Sequence, residues 1–531
     1  MFNMVSHLVR ERDMRDETSR VIKNTGIFAF GTLLSRISGL IRDFVIAWVF
    51  GASMMSDAFF VAFAIPNFFR RLMGEGALGV AVVPVYVRYL KGNDFEEAKR
   101  AFKSLVGSTM LVLSGIVILG IIFAPLLVKL QMFGWRGKEV FNLTVSLTRI
   151  CFPYLFMISL VALFMGILNS HSHFFAPAVS PVFLNLSLIL SALFLTSFFN
   201  PPIKALGMGV LLGGLLQLVL QVPFLKKKGL PLKPDFDLKH PATKETWKLM
   251  IPMLMGLSVF QINQIVDRIF ASFLPHGSVS YLYYADRIFE LPIGLFAVGM
   301  GVAALPNFSE RISEGRVEEF KKEVNFSLRW ILFLTIPISF FFIFFGLPIV
   351  AVLFQHGSFG PDETVKTSSA LLAYSISIWA YGGIQVLGRA FYAQKETKIP
   401  VRSAMLASVL NFFGDWILIG PLKHTGLALA TSASAILNFL ILFFFFHRKI
   451  GIEHRLLLFT VIKICLASLG MVPFLMWVQN YGEWLQEGTS FQNLLFLLMG
   501  CFGSLIIFLC LAILLRSREI RILLDIIGRR A

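Results

Sequence analysis

Long uncharged segments constrain this chain more than any other feature. The run LVLSGIVILGIIFAPLLV at 111–128 contains no charged residue, and about 20 such residues are enough for a helix to cross a bilayer. Charged residues make up 15% of the chain, against about 25% in soluble domains. The sequence therefore predicts an all-α polytopic membrane protein with fourteen transmembrane helices. The apolar segments lie at about 24–50, 58–87, 104–128, 141–168, 173–198, 205–225, 247–274, 280–308, 326–354, 367–393, 399–420, 424–447, 457–478 and 492–515.

The distribution of positive charge predicts which side of the membrane each loop faces. With the N-terminus inside, the loops predicted to be cytoplasmic hold 31 Lys and Arg and the outer loops hold 6. Such asymmetry marks the cytoplasmic side of a membrane protein. It predicts cytoplasmic tails at 1–23 and 516–531, and it accounts for the net charge of +17 without a nucleic acid partner.

A weak internal repeat divides the chain. VPVYVRYLKGNDFEEAKR (83–100) parallels LPNFSERISEGRVEEFKK (305–322) at an offset of 222, and RDFVIA (42–47) parallels VDRIFA (266–271) at an offset of 224. Chance similarity between apolar helices is the alternative. The repeat predicts two parallel six-helix lobes, a layout that transporters use. The N-lobe would span 24–225, a Pro- and Lys-rich cytoplasmic linker 226–246, the C-lobe 247–447 and two added helices 457–515.

The first apolar segment carries charges near its middle, in SRISGLIRD at 35–43. Arg36 and Asp43 are seven residues apart, which places them on one helical face, and Ser35 and Arg42 form a second stripe. An Arg–Asp pair that joins helices is one interpretation. The other is a wet site for a polyanion such as phosphate, which the planar fork of arginine suits. Further membrane cations favour the second interpretation: Arg70, Arg71 and Arg287.

A second polar set contains only oxygen donors. Asn411 and Asp415 share a helical face, and with Asp267 and Thr431 they would suit a hard cation such as sodium. A structural polar cluster, with Asp267 paired to Arg268, is the alternative. The sequence has no Walker loop and no HExxH motif, so we expect a protein that is not an enzyme and has no cofactor except a coupling sodium ion.

Five segments of the chain combine apolar runs with characteristic polar motifs. They are SRISGLIRDFVIAWVFGASMMSDAFFVAFAIPNFFRRLMGEGALGVAVVPVY (35–86), FPYLFMISLVALFMGILNS (152–170), ASFLPHGSVSYLYYADRIFELPIG (271–294), FYAQKETKIP (391–400) and IGPLKHTGLALATS (419–432). Together they resemble the MurJ/MviN family of lipid II flippases, within the multidrug/oligosaccharidyl-lipid/polysaccharide exporter superfamily. The RD…DAFF…RR and YYADR combination distinguishes this family from its sister families. The resemblance covers residues 24–450 well and the last two helices loosely.

This resemblance implies two six-helix lobes around a central cavity, with the two C-terminal helices forming a groove for a lipid tail. It implies cavity arginines at Arg36, Arg42, Arg70, Arg71 and Arg287, with acidic partners at Asp43 and Asp57 and with Ser35 nearby. It also implies a gate between Glu75 and Arg389. The family's sodium site would correspond to Asp267, Asn411, Asp415 and Thr431, with a backbone contribution near Leu427.

The function implied by the resemblance is the movement of undecaprenyl-diphosphate-linked disaccharide-pentapeptide (lipid II) from the inner to the outer leaflet by alternating access. The expected location is the inner membrane of a bacterium, and the expected form is a monomer in contact with membrane lipids and cell-wall synthesis proteins. The alternatives are an exporter of another polyprenyl-linked oligosaccharide, a drug/cation antiporter, and a membrane-bound polyprenyl transferase.

Overall fold

The computed structural model describes residues 30–72, 78–92, 94–135, 138–486 and 491–528. Over these ranges the chain is helical and contains no β-strand. Helix α1 spans 30–50. The following helices are α2 (Met54–Arg70), α3 (Gly79–Lys91), α4 (Phe95–Ile122), α5 (Ala124–Gln131), α6 (Lys138–Cys151), α7 (Tyr154–Ser170), α8 (Phe175–Leu190), α9 (Lys204–Lys227), α10 (Pro241–Ala271), α11 (Ser278–Pro292), α12 (Val298–Ser313), α13 (Val317–Phe354), α14 (Pro361–Ser375), α15 (Ile378–Ala393), α16 (Lys398–Lys449), α17 (His454–Tyr481), α18 (Phe491–Leu514) and α19 (Arg518–Gly528).

Many of these helices are suited to a bilayer. In the described ranges, nine helical segments are long and apolar enough to cross a membrane, and the bent pair α14 and α15 raises this to ten. One segment, α16, contains two predicted spans that meet at Lys423, whose backbone is non-helical (φ 52°, ψ −132°). With α1, α2–α3 and α10 added, the helices are consistent with the fourteen predicted spans. The chain is a multi-pass membrane protein.

Several spans predicted as single helices are interrupted. The fourth breaks at Pro153 between α6 and α7, because proline has no N–H to donate and its ring crowds the preceding turn. The eighth passes from α11 to α12 through a π-helical segment, Ile293–Ala297, and π-helical turns often occur at functional sites. The second predicted span contains α2 and α3, and residues 73–77 between them lie outside the described ranges.

The chain forms two compact units. Unit 1 contains Met1–Ile46, Ala58–Leu130 and Arg136–Gln261, and unit 2 contains Ala47–Asp57, Gln131–Trp135 and Ile262–Ala531. The boundary between these compact units lies within α10. The division into lobes at the 226–246 linker stays a prediction. Unit 2 also includes the end of α1 with the first residues of α2 (Ala47–Asp57), and the short segment Gln131–Trp135 after α5.

In unit 1, residues 228–240 form a linker strap that is fixed to α4. The backbone N–H of Asp235 donates to the carbonyl of Lys103 (3.0 Å), and the Ser104 hydroxyl donates to the carbonyl of Asp237 (2.6 Å). A Cβ on Gly107 would lie 2.1 Å from the carbonyl oxygen of Asp235. The strap therefore crosses α4 at a position that only glycine permits.

In unit 2, the turn after α16 crosses α13 in a similar way. The backbone N–H of Glu453 donates to the Asn325 side chain at 3.1 Å, and Asn325 follows Lys103 by the repeat offset of 222. The two units thus share a contact between the chain leaving their sixth helix and the start of their third helix. This agreement supports the internal repeat.

The helices beyond the repeat pack within unit 2. Helices α17 and α18 contact each other and α13, and a Cβ on Gly500 would lie 2.5 Å from the ring of Phe345. The short helix α19 is attached to α13 by an ion pair between Glu519 and Arg329 at 3.5 Å. Both carboxylate and guanidinium are largely buried, so α19 is fixed where it leaves α18.

Candidate functional site

The charged middle of α1 is organised by its own neighbouring residues and by α8. The Arg42 guanidinium donates from Nε (2.9 Å) and Nη2 (2.7 Å) to one carboxylate oxygen of Asp43. Its third bond, from Nη1, reaches the Asn185 side-chain oxygen of α8 at 3.0 Å. The guanidinium therefore joins two helices.

Asn185 also binds α1 through its amide nitrogen. Together, Arg42, Asp43 and Asn185 form what we call the polar centre of unit 1. The Asn185 amide nitrogen donates to the carbonyl of Ser35 (3.1 Å) and to the Ser38 hydroxyl (2.9 Å). Ser35, predicted as part of a polar stripe, contributes through its backbone. The side chains of Asn185 and Asp43 are 5% and 1% exposed, so their polar atoms depend on these bonds for satisfaction.

The structure separates the roles of the two arginines on α1. Arg42 is committed to Asp43 and Asn185, and its side chain is only 13% exposed. Arg36 is half-buried and makes no hydrogen bond or ion pair within the described residues. Breaking a buried charge pair costs about 3–5 kcal/mol. Arg36 is therefore the guanidinium on α1 that can bind an anion without first breaking a pair.

Two further arginines lie at the end of α2. Arg70 is in its last turn and Arg71 follows it, and both side chains are half-buried. The Arg70 Nε donates to the Asn67 side chain at 2.5 Å. Positive side chains are favourable at a helix C-terminus, so the helix supports this concentration of charge.

The described parts of α1 and α2 that belong to unit 1 have a surplus of positive charge. Together with Arg71, which follows α2, they carry four arginines against one carboxylate, Asp43. Such a surplus is costly inside a membrane unless water or an anion compensates it. The arrangement suits a ligand with several anionic oxygens.

Arg287 has a different environment, within unit 2. Its Nη1 donates to Glu290 at 3.1 Å, its Nη2 lies 3.7 Å from Asp286, and its guanidinium lies 4.9 Å from the ring centre of Tyr283. Two carboxylates thus offset one cation. Like Arg42 on α1, Arg287 has its charge offset by carboxylates of its own helix.

Asp57, predicted as an acidic partner of the arginines, caps α11 instead. It accepts bonds from the backbone N–H groups of Gly277 (2.6 Å) and Ser280 (2.8 Å) and from the Ser280 hydroxyl (2.6 Å). A carboxylate at a helix N-terminus satisfies N–H groups that have no partner within the helix. Gly277 has a φ of +93°, and this backbone conformation brings its N–H to Asp57.

The predicted gate is only partly within the described residues, because Glu75 lies outside them. Arg389 is half-buried on α15. A Cβ on Gly301 would lie 3.5 Å from the Arg389 Cγ, so the side chain lies along α12. The pairing of Glu75 with Arg389 stays a prediction.

The four predicted cation ligands are brought together in unit 2. The Thr431 hydroxyl lies 3.4 Å from an Asp267 carboxylate oxygen and 3.0 Å from the Leu427 carbonyl. The Asn411 amide nitrogen lies 3.5 Å from an Asp415 oxygen. Asp267 also contacts both Asn411 and Asp415.

This cluster contains oxygens without protein partners. Asp267 Oδ1, Asn411 Oδ1 and Asp415 Oδ2 are buried and accept no hydrogen bond. Buried acceptors of this kind are uncommon and call for an explanation. Two carboxylates, an amide and a hydroxyl fit a hard monovalent cation by donor type.

The sequence interpretation missed Asn185. It is a polar residue inside an apolar run, VFLNLSL, and the buried Asn411 occupies a similar Leu-Asn context on α16. Comparison of the two halves of the repeat would have identified it.

Known proteins resemble most of this chain. A family profile described as "Lipid II flippase MurJ" matches residues 46–496. A probable lipid II flippase MurJ of Buchnera aphidicola is 36% identical over 480 residues, covering 90% of this chain and 94% of its own length. The lipid II flippase MurJ of Burkholderia cenocepacia is 35% identical over 418 residues, covering 78% and 81%.

Solved structures agree with these sequence similarities. A structure described as "Lipid II flippase MurJ, inward closed conformation" has a TM-score of 0.76 at 32% identity and covers 92% of this chain and 98% of its own. An inward-facing multidrug transporter of the MATE family has a TM-score of 0.66 at 18% identity, covering 79% and 94%. The second similarity concerns the fold alone.

Proposed function

The chain belongs to the lipid II flippase MurJ family, and from that premise we propose that it moves lipid II from the inner to the outer leaflet of a bacterial cytoplasmic membrane by alternating access. The observation that carries this proposal is the positive surplus on α1 and α2 in unit 1. Lipid II has a diphosphate between its polyprenyl tail and its sugars, and this is the group that most resists a hydrocarbon environment.

The arginines supply the chemistry for that group. A guanidinium donates two parallel hydrogen bonds to a phosphate, and such charge-assisted bonds strengthen where water is scarce. Arg36 would contact the diphosphate directly, with Arg70 and Arg71 adding charge. Arg42, held in place by Asp43 and Asn185, would add to the positive electrostatic potential around the diphosphate. The sugars and peptide would stay in a wet cavity, and the tail would stay in lipid.

Positive charge in the loops supports the orientation. We propose that both termini are cytoplasmic, because the loops on that side carry most of the Lys and Arg. The protein would act as a monomer among membrane lipids, would receive lipid II from the enzymes that make it and would pass it to those that polymerise it. It would act as a transporter, not as an enzyme.

We also propose a sodium site at Asp267, Asn411, Asp415 and Thr431, with the Leu427 carbonyl adjacent. The three partnerless oxygens support it, since a cation would satisfy all of them. A bound sodium ion would supply a positive charge that stabilises the conformation in which these ligands converge. Asp267 and Asp415 would then both remain ionised despite their proximity.

The transport proposal can be tested with purified protein in vesicles. Lipid II is placed in one leaflet, and its appearance in the other is measured with a binder that cannot cross the membrane. Arg36→Gln should slow translocation at least tenfold, because a charge-assisted bond contributes about 1.5–3 kcal/mol. Arg287→Gln should have a smaller effect, because Asp286 and Glu290 already offset its charge.

Arg149→Gln is the matched control. Arg149 is an exposed arginine of unit 1 whose Nε donates to the Ile121 carbonyl. Its replacement removes one positive charge from unit 1 and leaves the arginines of α1 and α2 unchanged. Wild-type rates in Arg36→Gln, or equal losses in Arg36→Gln and Arg149→Gln, would contradict the phosphate role.

A further inference from the structure

The polar centres of the two units correspond through the internal repeat. The repeat matches Asp43 with Asp267 on the first helices of the two units. On the fifth helices, Asn185 lies in Leu-Asn-Leu and Asn411 in Leu-Asn-Phe, at an offset of 226. Each unit thus has a carboxylate on its first helix and a carboxamide on its fifth.

In unit 1, this carboxylate and carboxamide share one cation. Both Asp43 Oδ1 and Asn185 Oδ1 accept bonds from the guanidinium of Arg42, at 2.7–3.0 Å. The positive charge that joins them is covalently attached to α1.

In unit 2, the chain provides no cation at the matching position. Val266 precedes Asp267 as Arg42 precedes Asp43. The acceptors remain: Asp267 Oδ1 and Asn411 Oδ1 are buried and accept no hydrogen bond. Arg268, on the other side of Asp267, interacts with it through charge.

We propose that Arg42 is a tethered cation: its guanidinium occupies in unit 1 the position that a free monovalent cation occupies in unit 2. This inference rests on the sodium site proposed above. It makes Asn185 a positioning residue that acts through Arg42. It also assigns different behaviour to the two centres, because unit 1 keeps its positive charge permanently while unit 2 gains and loses one with the sodium concentration.

The proposal is tested by moving the tethered cation. Val266→Arg places a guanidinium beside Asp267 and Asn411, and Val266→Gln is a neutral control with a long polar side chain. Binding of radioactive sodium to purified protein, and the shift of Tm between sodium and choline buffers, are the two measurements. Val266→Arg should lower bound sodium at least tenfold and remove the Tm shift, and Val266→Gln should keep both. A folded Val266→Arg protein that binds sodium as the wild type does would overturn the proposal.

The reciprocal change keeps the test decisive if Val266→Arg does not fold. Arg42→Ala leaves the side-chain oxygens of Asp43 and Asn185 without their cation. The Ser35 carbonyl and the Ser38 hydroxyl lie nearby, because both accept from the Asn185 amide nitrogen. In an Asp415→Asn background, which should bind at least tenfold less sodium, Arg42→Ala should restore a sodium-dependent rise in Tm.

Failure of the underlying sodium site gives a different result. If wild-type protein binds no sodium, the sodium proposal is wrong, and Arg42→Ala alone must then gain a sodium-dependent Tm rise that the wild type lacks. Absence of that gain would overturn the tethered-cation proposal.

Discussion

The bond between Arg42 and Asn185 makes the sharpest energetic prediction. Asn185→Leu keeps the approximate volume of the side chain. It removes the oxygen that accepts from the Arg42 guanidinium and the amide nitrogen that donates to Ser35 and Ser38 on α1. Interhelical hydrogen bonds in membranes average about 0.6 kcal/mol, with a maximum near 1.7, and bonds to charged groups in proteins contribute about 1.5–3 kcal/mol. The 3.0 Å Nη1–Oδ1 bond has a charged donor, so we expect a coupling energy of about 1–3 kcal/mol.

A double-mutant cycle isolates this energy. Arg42→Gln, Asn185→Leu and the double variant are compared with wild type by their free energies of unfolding in mixed micelles. The double variant should be more stable than the sum of the two single losses predicts. Additive pairs scatter by about 0.3–0.5 kcal/mol, so a coupling energy within that scatter would contradict a charge-assisted bond between Arg42 and Asn185.

Three other contacts make predictions that stability and proteolysis assays can check. Asp57→Asn should lower the free energy of unfolding by about 1–3 kcal/mol, because an amide cannot replace all three bonds to the first turn of α11; a wild-type value would contradict the cap. Gly107→Ala should speed protease cleavage of the linker strap, whose carbonyl oxygen lies 2.1 Å from the added Cβ, whereas Gly115→Ala, with no atom within 4 Å, should not. Burial, and then the charge of Lys228, lower the pKa of His171 below its ordinary value of 6.5. Because the unfolded chain then binds more protons than the folded one, Tm should fall as pH drops through 6.5. His171→Asn should reduce this dependence of Tm on pH.

The fold was largely predictable because bilayer physics restricts the choices. An apolar run of about 20 residues in a chain with few charges has to be a buried or spanning helix. The sequence could predict that Asp43 pairs with an arginine, since a carboxylate in such a segment needs a cation or water. The sequence did not decide whether Arg36 or Arg42 held that carboxylate, because both lie within reach along α1.

Contacts between distant parts of the chain were harder to predict. Asn185 is 143 residues from Arg42, and one sequence does not show which helices are neighbours. The role of Asp57 depends on the left-handed backbone of Gly277, which a motif does not reveal. The neutralisation of Arg287 was readable, however, because Glu290 lies three residues further along the same helix.

The proposed transport of lipid II depends on recognition of a diphosphate by the arginines of unit 1, and equilibrium binding measures this recognition directly. The affinity of purified protein for lipid II is compared with its affinity for an analogue with the same tail, sugars and peptide but an uncharged linker. We predict that wild type and Arg149→Gln prefer lipid II at least tenfold, and that Arg36→Gln loses most of this preference. Equal affinity of the wild type for both lipids, or an unchanged preference in Arg36→Gln, would contradict the account.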